Sequence, residues 1–283
     1  MNVFITGVNG YLGEILVVEL KKKGFNIYGC DVTGNFDSEI RKIDIRDKNF
    51  QDYVPENIDI IIHLAALSSD PLCKDNEYNC FDLNVMGTLN LVNFAINKNC
   101  KQFIFASSEW VYSDYDKIND EDSIINPIKL KSEYALSKLT SELTLFQKYK
   151  YTKMNITILR FGIIYGGNRH KGSAIESIVK QVVENDEIEI GSKKTGRNFI
   201  HCFDVVNGIV SSIGEKGCAI YNIAGDEFVD LEKVIKITSK QLGKNIKVLQ
   251  NDKFNPSIRK VSNLSAKKPV SYTHLRAHET RGN

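Results

Sequence analysis

The sequence predicts an α/β fold: a doubly wound parallel sheet followed by a smaller C-terminal lobe. Three observations carry that expectation. A glycine-rich turn joins a strand to a helix at residues 3–13, strand and helix patterns alternate through the first half, and Asp59–Ala66 is apolar along nearly its whole length. Alternating strands and helices build a parallel sheet with helices on both faces. A strand covered on both faces reads as a continuous apolar run.

The first element is the strand Val3-Phe4-Ile5. Gly7, Gly10 and Gly13 follow it at i, i+3 and i+6, and Ile15, Val18, Leu16 and Leu20 then mark a helix over 14–23. In such a turn Gly7 permits the tight bend. Gly10 lets the backbone approach a pyrophosphate, with Tyr11 and Leu12 beside it, and Gly13 lets helix and strand pack closely. The helix N-terminus adds unpaired N–H groups and the positive end of a dipole. Asn26–Cys30 is a second strand, and it ends at Asp31, 18 residues beyond Gly13. That is close to the roughly 20 residues expected for the carboxylate that binds an adenosine ribose. No Arg or Lys directly follows Asp31, so a 2′-phosphate finds no cation there. NAD is expected rather than NADP, on a Rossmann-type sheet.

Further strands are expected at Gln102–Ser107 and Ile156–Arg160, and further helices at Leu83–Asn97 and Ser132–Lys148. After Gly166-Gly167 the alternation loosens. Helices are expected near Ala174–Glu184, Asp204–Ile213 and Leu231–Leu242, and strands near Glu187–Ile190 and Ile220–Ile223. The expected division is a cofactor domain over 1–165 and a smaller substrate lobe over 166–270, parts of which return to the main domain. Residues 271–283 hold two of the five histidines and no apolar period, and are expected to be a non-native tail.

Composition narrows the partners. The chain of 283 residues has a net charge of +2, too small to argue for nucleic acid or a membrane surface. No apolar run approaches the ~18 residues of a membrane helix. The N-terminus enters the first strand directly, leaving no room for a signal peptide. The six cysteines form no CxxC pair and are expected to be buried thiols of a reducing compartment, with no metal bound. A cytoplasmic protein is therefore expected.

The chemistry centres on Tyr134 and Lys138, at i and i+4 on one helix face. An ammonium beside a phenol favours the phenolate, so Lys138 is expected to lower the pKa of Tyr134. A phenol so tuned exchanges a proton with an alcohol near neutral pH. Tyr149 and Lys153 share the spacing but read as solvated surface. Tyr134 differs because Ser107-Ser108, at the end of a strand, lies 26 residues upstream. In an α/β sheet that strand end faces the cofactor cleft, where a serine can hydrogen-bond the reacting oxygen.

Together with Val111-Tyr112 and Arg197-Asn-Phe-Ile-His201, these motifs resemble the extended short-chain dehydrogenase/reductase superfamily. Within it they are similar to the NAD-dependent epimerase/dehydratase family acting on nucleotide sugars. The resemblance runs in order to about residue 268. It implies that Asp31 binds the adenosine ribose, that Asp44 and Ile45 border the adenine, and that Leu64, Ala65, Ala66 and Ser107 line the cofactor. It also implies that Asn84 supports the active site. Lys138 would hold the nicotinamide ribose, Tyr134 would be the base and Ser108 would bind the substrate oxygen. Arg197 would meet the substrate diphosphate through its planar fork.

Departures from the pattern bear on the activity. Where sugar 4,6-dehydratases of the family carry Asp-Glu before Val-Tyr, this chain has Glu109-Trp110; an indole cannot act as a base. Glu109 remains as one acid, near substrate. Ile163 stands where the family has an Asn at the diphosphate, and Ser113 where it has a Gly. The expected activity is a nucleotide-sugar epimerase, working at C4 through a transient 4-keto sugar. A reductase or dehydratase of the same family, or a non-catalytic NAD-binding regulatory protein, are the alternatives. Relatives often dimerise through two helices, here those at Leu83–Asn97 and Ser132–Lys148, so a homodimer is expected.

Overall fold

A computed structural model describes residues 1–113, 117–167 and 173–267. The expected non-native tail lies outside these residues. Seven strands, numbered here within the central sheet, form one all-parallel layer: β1 (Asn2–Thr6), β2 (Asn26–Asp31), β3 (Ile40–Lys42), β4 (Ile60–His63), β5 (Gln102–Ser108), β6 (Asn155–Phe161) and β7 (Cys218–Ile223). Their spatial order is β3-β2-β1-β4-β5-β6-β7. The order reverses between β1 and β4, and the crevice beyond the strand ends at such a reversal is where ligands bind.

Alternation along each strand divides the core in two. Val3, Ile5, Ile62, Ile104 and Leu159 face one side, against Leu16 and Leu20 of the helix Tyr11–Lys22 and Val205, Val206 and Ile209 of the helix Cys202–Ser211. Phe4, Ile61, Phe103, Phe105 and Ile158 face the other, against Leu91, Val92 and Ala95 of the helix Thr88–Asn97 and Leu145 of the helix Glu133–Thr152. Val18 departs from the expected helix face: it is 52% exposed, while Leu16 and Leu20 are fully buried. Two residues from either, it points nearly opposite to them.

The expected helix over 83–97 is longer and irregular. It runs from Glu77 to Asn97 and holds a π-helical turn at Asp82–Gly87. The fourth strand ends at His63, three residues before the apolar run does, and Leu64–Ala66 leave the sheet at its carboxyl edge. In the second half Ile178, Val182, Ile188, Ile190, Val234 and Ile235 make a separate small core. The helices Ala174–Glu184 and Leu231–Leu242 and the strand Glu187–Ile190 match the sequence reading, and β7 returns to the main sheet.

The cysteines differ from expectation. Cys73 and Cys80 form a disulfide, with Cα atoms 5.2 Å apart. Two short helical segments, Asp70–Cys73 and Glu77–Phe81, fold back on each other and bring the two together, which a search for CxxC spacing does not detect. Cys30, Cys100 and Cys202 are buried thiols, and Cys218 is partly exposed.

Candidate active site

The carboxyl ends of β1, β2 and β4 meet at the glycine turn, and that of β5 lies one strand further along the same edge. Gly7 has φ +71°, and a Cβ there would lie 2.8 Å from the Ala65 amide nitrogen. A Cβ on Gly13 would lie 2.5 Å from the Val8 carbonyl oxygen, so the helix seats against the turn only with glycine. A Cβ on Gly10 would approach nothing but Gly7, so its outer side is open. Gly10 begins the helix Tyr11–Lys22 without a side-chain cap, leaving first-turn amides for an anion. Asp31 accepts from the Asn9 amide at 3.1 Å and from Val32 at 2.8 Å, which ties the end of β2 to the glycine turn. An open backbone cradle beside a fixed carboxylate fits NAD. Tyr11 donates its hydroxyl to the Gly166 carbonyl, and Leu12 and Leu64 are half-buried against the core.

A chain of buried hydrogen bonds supports this edge. Thr6 Oγ1 and His63 Nδ1 are 2.7 Å apart, His63 Nε2 and Thr88 Oγ1 2.9 Å, and Thr88 donates to the Asn84 carbonyl at 2.6 Å. Burial, with the Lys138 charge adding to it, pushes His63 down to about 3, so it is a neutral relay of hydrogen bonds. The π-helical turn presents the Asn84 side chain, which accepts from Leu67 N at 2.9 Å and donates to Ser137 Oγ at 2.9 Å. Asn84 thus clamps the segment after Ala66 to the helix that carries Tyr134.

That helix starts at a Ser132 cap, whose Oγ accepts from Ala135 N at 3.2 Å. Tyr134 and Lys138 are both buried on its inner face. Ser108 lies close enough to Tyr134 to oppose the rise in its pKa, so the structure brings these two expected site residues together. The expected acidity does not follow. Burial pushes Tyr134 up to about 12, Glu109 adds to the rise, and Ser108 only partly opposes it. Lys138 donates to the Ala106 carbonyl at 2.8 Å, lies 4.8 Å over the Phe105 ring, and is itself pushed down to about 7 by burial. A dry pocket disfavours both charged forms, and helical spacing alone carries no information on that.

Other expected site residues are committed elsewhere. Ser107 donates to Glu142 at 2.5 Å, inside a buried network and not toward the cleft. Asp44 is held below the usual carboxylate range by its hydrogen bonds to Arg46. Ile45 is core, tight against Gly87.

Glu109 and Arg197 come into direct contact, with Oε1 3.3 Å from Nε. The Glu109 side chain is fully buried, and neither of its oxygens accepts a hydrogen bond from the described residues. Burial pushes it up to about 7, against the pull of Arg197 and Arg259. Arg197 also donates to Ser257 Oγ at 2.7 Å. Arg259 was not singled out from the sequence. Its guanidinium stacks 4.1 Å over Trp110, whose ring lies 6.4 Å from that of Tyr134. Only its basic character and its place near the chain's end could have pointed to it.

The NAD dependent epimerase/dehydratase family matches over residues 3–224, and the chain belongs to that family. Its members are enzymes. Among known proteins the chain is 26% identical over 267 residues to a UDP-glucuronate 4-epimerase of Thermodesulfobacterium geofontis, covering 86% of this chain and 81% of that one. It is 29% identical over 269 residues to a dTDP-D-glucose 4,6-dehydratase of Dictyostelium discoideum, covering 83% of this chain and 61% of that one. Its fold is that of the UDP-glucuronic acid 4-epimerase of Bacillus cereus solved with UDP-glucuronic acid and NAD. The TM-score is 0.85 at 22% identity, over 98% of this chain and 95% of that one.

Proposed function

We propose that this protein is an NAD-dependent nucleotide-sugar 4-epimerase with its reaction centre at Ser108, Tyr134 and Lys138. The observation that carries the reading is the approach of Tyr134 to Ser108 at the carboxyl edge of the sheet that also holds the glycine turn, with Arg197 in contact with Glu109 and Arg259 stacked on Trp110. Bound NAD supplies a reversible hydride acceptor and, in its oxidised form, a cationic ring. Tyr134 takes the proton of the sugar C4 hydroxyl, and Ser108 holds the same oxygen by a hydrogen bond. Burial keeps the phenol and Lys138 near neutrality, so the proton transfer depends on a cation brought into the dry pocket. Lys138 and Asn84 hold the segments on either side of the cleft. The 4-keto sugar turns over, and Tyr134 returns the proton once the opposite face is reduced. Arg197 and Arg259 both act on Glu109, and two planar guanidinium forks at one end of the site suit a nucleoside diphosphate. The same reading takes residues 1–165 as the NAD domain and 166–270 as the sugar lobe. It takes the cytoplasm as the site of action; among the described residues no helix is long and apolar enough to cross a membrane.

Incubation with NAD and a panel of UDP-, dTDP-, GDP- and CDP-sugars tests the activity by mass and proton NMR. Unchanged mass with an inverted C4 coupling is expected, while loss of water overturns the reading in favour of a dehydratase. Tyr134→Phe is expected to lower turnover by about 10²–10⁴-fold. A homodimer is proposed through the helices Thr88–Asn97 and Glu133–Thr152. Leu136 and Leu143 are 39% and 56% exposed there, and Met86 of the adjoining π-helical turn is 49% exposed. Sedimentation velocity is expected to give a dimer, and a monomer at all concentrations refutes it.

A further inference from the structure

Resting on the nucleotide-sugar reading, we propose that Glu109 selects the sugar: it accepts hydrogen bonds from a neutral hexose and excludes hexuronates, whose C6 carries a carboxylate. Glu109 follows Ser108, the residue that opposes the rise in the Tyr134 pKa, and its carboxyl lies 3.3 Å from Arg197. In the proposed complex Tyr134 and Ser108 mark the C4 oxygen, and Arg197 with Arg259 marks the diphosphate. Glu109 therefore stands between the two anchors of the hexose. The two groups flanking C4 are the C3 hydroxyl and the C6 substituent. The 4-keto sugar turns over to expose its other face, so both flanking groups pass this position in one turnover.

Two properties of Glu109 bear on which groups are tolerated there. Its side chain is fully buried, and both oxygens lack a hydrogen bond from the described residues. Orphaned buried acceptors gain most from a ligand that brings donors, and sugar hydroxyls are donors. A carboxylate at C6 brings no donor when ionised, so it leaves these buried acceptors unfilled where a hydroxyl would fill them. Specificity then comes from which sugar carries the donors that these acceptors need.

The test uses the full chain with NAD and compares matched sugars on one nucleotide: UDP-glucose and UDP-galactose against UDP-glucuronate and UDP-galacturonate, with dTDP pairs run alongside. In the wild type, kcat/KM for the neutral sugars is expected to exceed that for the uronates by at least about a hundredfold, mainly through KM. Glu109→Gln keeps the size and adds a donor, and is expected to bring the ratio within about tenfold by raising uronate use. Glu109→Ala serves as a second variant, and the wild-type ratio stands as a test even if neither variant folds. Equal wild-type use of uronates and neutral sugars overturns the proposal, as does an unchanged ratio in an active Glu109 variant. If wild-type protein that binds NAD turns over no sugar on any nucleotide, the nucleotide-sugar reading falls and the assignment of Glu109 falls with it.

Discussion

Two buried Glu–Arg pairs flank the serines at the end of β5, and they are built differently. Beneath Ser107, Glu142 receives Arg160 through two bonds, at 3.0 and 2.7 Å, and takes a third from Ser107 at 2.5 Å. Arg160 continues to the Tyr112 hydroxyl at 3.0 Å, which donates to Asn222 at 2.7 Å. This pair stitches the helix Glu133–Thr152, β6 and β7 together, with its charged groups satisfied. Beyond Ser108, Glu109 meets Arg197 at one distance of 3.3 Å and accepts no hydrogen bond from the described residues. Burial pushes its carboxyl up to about 7. On the proposed function the contrast separates a structural tie from a site kept ready for a ligand: incomplete hydrogen bonding costs stability and leaves acceptors for a substrate to fill.

The largest expected difference comes from removing each arginine. Arg160→Met strands a buried carboxylate and is expected to lower the unfolding free energy by about 3–5 kcal/mol in urea titrations. Arg197→Met leaves Glu109 able to take up a proton instead, and about 1 kcal/mol is expected. Equal losses would erase the contrast.

Proton linkage gives the next effect. The folded Glu109 holds its proton to about pH 7, whereas the unfolded residue loses it near 4.5. Its contribution to stability is therefore complete below pH 4.5 and is lost as pH rises toward 7, by up to about 3 kcal/mol. Subtracting the stability profile of Glu109→Gln from that of the wild type isolates this fall. It removes the opposite trend of His63, which is pushed down to about 3. A flat difference profile means that Glu109 is ionised across this range and that burial does not govern its proton. Tyr112→Phe is expected to cost about 1–2 kcal/mol of stability with kcat and KM unchanged, because among the described residues that hydroxyl bonds Arg160 and Asn222 of the structural tie. A change in KM would place Tyr112 in the substrate path.

The cofactor half was legible because its constraints are local. Gly7 and Gly13 are required by backbone atoms a few residues away or by the neighbouring strand end, and Asp31 is set by the length of one strand–helix–strand unit. The substrate half was not. Arg259 reaches Trp110 across a long stretch of chain, and Ser107 and Ser108 are adjacent yet serve different networks. Cys73 and Cys80 pair through a fold-back that no spacing rule anticipates.

By itself the sequence determined the order of strands and helices, the glycine turn, and the presence of Ser108, Tyr134 and Lys138 on one strand end and one helix face. Each of these follows from neighbours along the chain and from the periods of strand and helix. Only the tertiary structure decided protonation and partnership: that Tyr134 and Lys138 are driven toward neutrality, that Glu142 is tied while Glu109 is left wanting donors. Desolvation and ion pairing depend on what packs around a group in three dimensions, and that surrounding is assembled from residues far apart in the sequence.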